Sequence, residues 1–409
     1  IGAIAEAGIA SGFGDGTYRP RGQVTRGQMA TFLANATGLT EIDDGPFTDI
    51  HGNTHAGTIN AAAAADIDGV DGGRGTGLIA MASFTFDPQT PGSVVTIPRV
   101  VICRRDGTTW MTRIDPPAAS PIPGPRQDER ATAVGDRPRY AGASMPDVHW
   151  LEAVAAAIEH IRAGDIAKIV LARDYALWSK QLFDTLDIAR RLNRRFSSCH
   201  TFVVDGLVGA TPETLVRTSG NRVTSRVLAG TAARDRDAAR DAALSDALLA
   251  SDKDRREHAL AVASVIDVLH DRSADLTFAD TPQLLRLDNV QHLATDVAGT
   301  LDQPASAMAL AGALHPTAAV GGTPRDRAMT LIRALEGMDR GRYAAPVGWA
   351  DAAGDGEFGI ALRCAHIEGA RARLFAGVGI VEGSRPEDEL AETRLKLLAM
   401  QDVLGAKVD

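Results

Sequence analysis

From Gly77 onward, strand-like and helix-like stretches follow one another without a regular strand–helix–strand alternation. That irregular order limits the fold more than any other feature, because a doubly wound parallel sheet requires the alternation. Leu78–Pro88 and Val94–Ile102 read as strands, and Trp150–Ala163 as a helix stopped by Gly164. Ile166–Ala172 and His200–Val208 read as buried strands, with Leu186–Phe196 as an amphipathic helix between them. Ala238–Leu249 and Arg256–Leu269 carry the longest helical patterns. Strands return at Val347–Ala350, Gly359–Glu368 and Arg373–Val381, before a closing helix from about Glu387 to Leu404. Residues 115–147, rich in Pro, Arg and Ala, read as a connector. The expectation is an α+β assembly.

The 409 residues are enough for a large core and for more than one domain. Lys and Arg total 43 against 52 Asp and Glu, and the net charge of −9 argues against a nucleic-acid-binding surface. There is no apolar run long enough to insert into a membrane as a spanning helix. Cys103, Cys199 and Cys364 are scattered and odd in number, which suggests neither a disulfide framework nor a zinc site and suits a reducing cytoplasm. The chain is expected to be cytoplasmic and monomeric.

Residues 1–67 differ in character from the rest. A glycine-rich turn, GFGDGTYRP, leads into VTRGQMATFL, a helix capped by Thr25 with Met29, Phe32 and Leu33 on one face. Phe47–His51 and Ala56–Ala65 begin a second copy that stops near Asp66. This stretch resembles the S-layer homology module, one repeat plus a truncated second. The resemblance implies non-covalent binding to cell-wall polymers, and with it a cell-surface alternative for the compartment.

Two acidic stretches place carboxylates three residues apart, Asp254 with Glu257 and Glu389 with Glu392. On a helix each pair shares a face, where like charges repel unless a cation sits between them. Mg²⁺ would suit that place as a ligand of oxygens; ordinary ion pairs Lys253–Glu257 and Glu392–Lys396 on a solvated face are the alternative. Lys168, in the apolar run AKIVLAR, is either a strand-end residue facing water or, in a closed pocket, a base with a lowered pKa. Glu213, after a strand and Pro212, is either a solvated turn residue or a buried general acid. His292 could be a satisfied core histidine. Arg363 follows an apolar strand, where an inward guanidinium needs a carboxylate partner. The amides around Gly377 and in the Ala229–Ala233 loop could meet an anion.

In order, KIVLAR, GATPETLV, LAGTAAR, SDKDRREH, HLATDVAGTL, LHPTAAVGGTP, YAAPVGW, RCAHIEGARARLFAGVGIVEGS and ELAETRLKL resemble segments of the chorismate-utilising enzymes, isochorismate synthases most closely. The resemblance covers about Gly77 to Leu404. It implies the fold of anthranilate synthase component I, a large antiparallel β-sandwich flanked by helices, with residues 68–409 as the catalytic domain. It implies that Glu257 and Glu392 bind Mg²⁺ with Asp254 and Glu389 in support, the metal holding the ring carboxylate of chorismate. Lys168 would activate a water for attack at ring carbon C2, and Glu213 would protonate the departing C4 hydroxyl. Arg363, Lys396 and the amides around Gly377 would hold the enolpyruvyl carboxylate, while Thr231 and His292 line the pocket. The product would feed siderophore or menaquinone synthesis.

Among such enzymes, those that use ammonia usually carry glutamine at the position of Lys168, so lysine implies water as the nucleophile. Salicylate synthases keep the lysine and then eliminate pyruvate. They and the anthranilate enzymes typically have threonine where this chain has Ala319, so alanine implies that the reaction stops at isochorismate. Tyr343 discriminates nothing, and Ala318 departs from the proline common in isochorismate synthases. The alternatives are a salicylate or anthranilate synthase-like lyase, or a surface-anchoring protein with a vestigial enzyme domain. Such enzymes also usually carry further strands ahead of the Gly77–Pro88 segment. Here the S-layer-like text occupies that region, so a damaged sheet with an open edge is expected unless residues 41–76 replace part of it.

Overall fold

The computed structural model describes residues 75, 77–98, 100–105, 108–113 and 137–406. The S-layer-like repeat and residues 41–73 lie outside the described residues. The chain contributes β1 (Ile79–Ser83) and β2 (Val94–Thr96) to one sheet, then forms a separate hairpin from β3 (Val100–Arg105) and β4 (Thr108–Arg113). β5 (Arg139–Gly142) leads to α1 (Asp147–Arg162) and the long β6 (Lys168–Trp178). After α2 (Thr185–Arg195) come β7 (His200–Val204), β8 (Leu207–Thr211), β9 (Thr214–Ser219) and β10 (Arg222–Ala233). The helices α3 (Ala238–Ala250) and α4 (Asp252–His270) precede β11 (Thr277–Phe278), β12 (Gln283–Arg286) and β13 (Val290–Thr300). α5 (Ala307–Leu314), β14 (Gly322–Thr323) and α6 (Arg325–Leu335) follow. β15 (Pro346–Asp351), β16 (Gly356–Ile360), β17 (Cys364–Glu368) and β18 (Arg371–Ile380) lead to the closing helix α7 (Pro386–Leu404).

The strands form a nine-stranded sheet with the path β11-β13-β10-β9-β16-β15-β1-β2, on which β12 also pairs β13. A seven-stranded sheet runs β14-β6-β18-β17-β8-β7, with β5 also on β6. Every described pairing is antiparallel. One buried cluster joins Ile169 and Leu171 of β6 to Leu215 and Val216 of β9, Val227 of β10 and Phe358 of β16, so the two sheets share an apolar core. On β18 the side chains alternate: Phe375 packs in that core, whereas Leu374 and Ala376 pack in a second cluster with α2 and α7. Each Leu or Ile fully buried in this way contributes about 1.5–3 kcal/mol.

The helices follow from spacing and caps. α1 buries Trp150, Ala153, Val154, Ala157, Ile158 and Ile161, a stripe at three- and four-residue intervals. Asp184, Asp237, Ser251 and Ser306 cap α2, α3, α4 and α5 by accepting backbone N–H bonds of the first turn. α4 lies against β10, α5 against β9, β15 and β16, α1 and α6 against β6, and α7 against β18. Among the described residues no helix is long and apolar enough to cross a membrane.

Three segments expected as single strands are divided. Val94–Ile102 breaks at Pro98, which cannot donate to a ladder, and its halves lie in different sheets. His200–Val208 is a hairpin turning at Asp205-Gly206, where both residues have positive φ, 45° and 78°. Gly359–Glu368 changes sheets: Ile360 ends a strand of the larger sheet and Cys364 begins one of the smaller. At the front, β1 is extended by bonds from Phe84 N to Pro346 O (2.9 Å) and Phe86 N to Gly341 O (2.8 Å). β2 is a three-residue edge strand beyond it, and the β3–β4 hairpin joins neither large sheet among the described residues.

Candidate active site

The chain crosses between the sheets at two neighbouring places. β8 passes to β9 through Pro212 and Glu213, and β16 passes to β17 through Ala361, Leu362 and Arg363. The crossings are bonded to each other, Ala210 N to Arg363 O and Ile360 N to Glu213 O, both 3.2 Å. This pairing carries a carboxyl and a guanidinium, 150 positions apart in sequence, to one pocket. Arg363 turns with φ +44°, a left-handed conformation that arginine adopts only where its surroundings impose it. Around the two side chains the pocket is lined by Val170, Leu228, Gly230, Thr231, Glu257, His292, Ala319, Val320, Tyr343, Leu362, Phe375, Gly377 and Lys396, among others.

Its electrostatics separate acid from base. Glu213 is 3% exposed. Burial pushes its carboxyl up to about 8, against the backbone bond at Leu228 and the charges of Lys168, Arg363 and Lys396. The group therefore holds its proton at neutral pH. Lys168 is wholly buried, its Nζ 3.3 Å from Glu257 Oε1 and 3.4 Å from Glu257 O. Burial lowers its pKa, with Glu257 and Glu213 opposing. Lys168 stands one layer behind the lining, reaching it through Glu257. Gly379 allows that approach, since a Cβ there would lie 2.0 Å from Glu257 Oε1 and 2.9 Å from Lys168 Cε.

Opposite, the Arg363 guanidinium donates through Nη2 to His292 Nε2. An arginine has no acceptor, so His292 Nε2 must be unprotonated and Nδ1 carries the proton. Nδ1 lies 3.2 Å from Gly230 O and 3.2 Å from Thr231 Oγ1. Burial, with Arg363 and Lys396 nearby, holds the His292 pKa well below its usual value, so the ring stays neutral. Arg363 Nη1 is buried and has no hydrogen-bond partner among the described residues. Lys396 donates to Gly377 O at 2.9 Å and pairs with Glu392 at 2.8 Å. Tyr343 stacks on Phe375, centroids 5.0 Å apart at 8°, and Ala319 completes the wall.

The four acidic residues divide. Glu257 lines the pocket; Glu392 stands behind Lys396, and Glu389, 1% exposed, pairs with Lys253 at 2.5 Å. Asp254 lies against the β10 bulge, where a Cβ on Gly230 would come within 3.1 Å of its Cβ. Burial works to raise the Glu392 pKa, but Lys396, Lys253 and the Thr231 hydroxyl together hold it below the usual carboxylate range. Burial raises that of Glu389 despite Lys253. As they stand, no three His, Cys, Asp or Glu side chains among the described residues close into a metal-binding group. The donor type is that of a hard cation's ligands, and the ammonium of Lys253 already lies in the combined field of Glu389, Glu392 and Glu257. Sequence reasoning paired Lys253 with Glu257 on its own helix. The partner across the helix pair, and the stacking of Phe375 on Tyr343, carried no local signal.

The family described as chorismate binding enzyme matches residues 125–405, and the S-layer homology domain matches residues 1–30. The chain is 42% identical over 267 residues to the salicylate biosynthesis isochorismate synthase of Pseudomonas aeruginosa, covering 63% of this chain and 55% of that protein. It is 39% identical over 260 residues to the isochorismate synthase DhbC of Bacillus subtilis, covering 61% and 65%. Its match thus spans less than two thirds of the length of these curated relatives. The structure resembles that of MenF, the menaquinone-specific isochorismate synthase from Escherichia coli, with TM-score 0.68 and 28% identity over 80% of this chain and 79% of that one.

Proposed function

This chain belongs to the chorismate-binding enzyme family, and on that premise we propose that it is an isochorismate synthase, an isomerase that moves a hydroxyl group on chorismate from C4 to C2. The observation that carries the proposal is two buried groups of opposite tendency at one pocket, Glu213 in its lining and Lys168 one layer behind, against Glu257. Glu213 is kept protonated by burial, and Lys168 is driven toward its neutral amine. In this reading Lys168 Nζ takes a proton from water as its oxygen bonds to C2. The ring double bonds shift, the C4–O bond breaks, and the Glu213 proton leaves with the hydroxyl as water, so the net change is isomerisation. Arg363 Nη1 and Lys396 supply positive charge for a carboxylate, and neutral His292 keeps the guanidinium in place. Ala319 in the wall and lysine at 168 favour water as nucleophile and isochorismate as product.

Glu257 and Glu392, with Glu389 and Asp254 in support, would hold Mg²⁺ between α4 and α7. When bound, that ion would neutralise the ring carboxylate and polarise the substrate. Glu257 is the residue that would couple the two sites, since it now engages the Lys168 amine. The test is incubation with chorismate with and without Mg²⁺, followed by chromatography. Isochorismate is expected; salicylate with pyruvate, or anthranilate with ammonia, transfers the protein to the lyases. A folded protein that yields no product overturns the proposal. The match of residues 1–30 to the S-layer homology domain favours a second reading, cell-wall attachment. Retention on purified cell-wall polysaccharide supports it, and passage through unretained removes it. The two readings differ in compartment, since chorismate is made in the cytoplasm and cell-wall attachment acts at the surface.

A further inference from the structure

β6 carries Lys168 at one end and loses its neighbouring strand almost at once. β14 pairs only with Lys168 and Ile169, and its last ladder bond is Val170 N to Gly321 O at 2.7 Å. The next neighbour, β5, begins only at Ala176. Over Val170–Ala172 side chains complete the edge instead. Arg340 Nη2 donates to Val170 O at 2.8 Å, Ala172 N donates to Glu336 Oε1 at 2.7 Å, and Trp150 Nε1 donates to Ala172 O at 3.3 Å. The same guanidinium donates through Nη1 to Val320 O at 2.8 Å and through Nε to Glu336 Oε2 at 2.8 Å. Arg340 is 3% exposed and Glu336 2%, and Phe86 covers the guanidinium with its ring centroid 3.9 Å from Cζ.

We infer that Arg340, oriented by Glu336, is a positioning residue for the reaction: it spans the gap where the sheet opens and fixes the separation of Val170 from Val320. Those two residues form adjoining parts of the pocket wall, and Ala319 stands next to one while Lys168 lies two residues before the other. Arg340 itself is outside the lining and touches no substrate. The planar fork bonds two carbonyls and both oxygens of a carboxylate at once, four bonds in a fixed geometry, whereas a lysine ammonium has only three donors on a flexible stem. Both carbonyls are buried, so releasing either leaves an acceptor without water or partner. The inference rests on the isochorismate synthase reading only for its kinetic readout.

The experiment compares the full chain with Arg340→Lys, Glu336→Gln and Arg340→Ala, each assayed well below its own unfolding temperature. Arg340→Lys is expected to lose tenfold or more in kcat with KM within about threefold and an unshifted pH profile. Glu336→Gln is expected to lose less, and free guanidinium at millimolar concentration to restore part of the Arg340→Ala activity. Amide exchange at Val170, Ala172 and Gly321 is expected to quicken in Arg340→Lys. A folded Arg340→Lys with wild-type kcat, or with unchanged exchange at those amides, overturns the inference. An inactive wild-type chain defeats the isochorismate synthase reading instead and leaves the exchange measurement to decide this one.

Discussion

The sheet crossings and the front hairpin are both places where the antiparallel order breaks, and they break to opposite effect. At Glu213 and Arg363 the chain leaves one sheet for the other while staying bonded to its neighbour, so charged groups are driven inward and held. At β3 and β4 the chain joins neither large sheet among the described residues. Ile102 and Met111, directly opposite each other, remain 71% and 60% exposed. A break bridged by long-range pairing builds a site; a break without it leaves apolar surface. The front is still anchored to the body, because Phe84 stacks on Phe358 at 6.0 Å and Phe86 covers Arg340.

The sharpest way to break this contrast is to remove chemistry from the crossing side. Lys168→Ala is expected to lower kcat by about 10²–10⁴ with little change in KM, measured as isochorismate formed. Unchanged turnover removes Lys168 from the mechanism. Phe358→Ala, at a fully buried position beside the second crossing, is expected to cost about 3–5 kcal/mol in denaturant unfolding. A loss below 1 kcal/mol makes the crossing less rigid than argued.

Glu213 sharpens the contrast through pH. Its carboxyl is raised to about 8, so the acid is lost as pH climbs past that value, and kcat/KM is expected to fall tenfold per unit there. The same shift governs stability. Between the ordinary carboxylate range and about pH 8 the folded chain binds the proton that the unfolded chain has released. Stability therefore falls with rising pH across that window. Glu213→Gln has no such proton, so its gain in unfolding temperature over wild type is expected to be largest above pH 8 and to vanish at acid pH. A gain independent of pH separates Glu213 from this effect. The smallest effect belongs to the hairpin. Replacing Ile102 and Met111 by Ser is expected to alter stability by no more than about 0.5 kcal/mol, while reducing self-association in light scattering at high concentration.

The sequence shows the α+β class and, through the ordered motifs, Glu213, Thr231, Glu257, His292, Ala319, Tyr343, Arg363, Gly377 and Lys396 of the pocket lining, but not the apolar wall of Val170, Leu228, Val320, Leu362 and Phe375. It does not show how they meet. Gly359–Glu368 has the apolar run of one strand, and periodicity has no sign for a change of sheet at Arg363, which is imposed by the neighbouring crossing. Val94–Ile102 and His200–Val208 each read as one strand, although Pro98 and Asp205-Gly206 carry the local backbone chemistry of a break. Lys253 illustrates the other limit. Its near neighbour Glu257 is turned toward Lys168, and it takes Glu389, 136 positions away, as partner. Partner choice among several acids is decided by packing between helices, beyond the reach of i,i+4 spacing.

Because Glu213 and Arg363 stand on adjoining crossings, neither layer of the sandwich can slide past the other without changing the span between proton donor and guanidinium. A molecule that bridges the two acts as a rivet through both layers. Its occupancy is felt by the whole sandwich, so on the proposed reading chorismate or an inert analogue is expected to raise the unfolding temperature of both sheets together. The site is in this sense a gauge of how the two sheets are aligned.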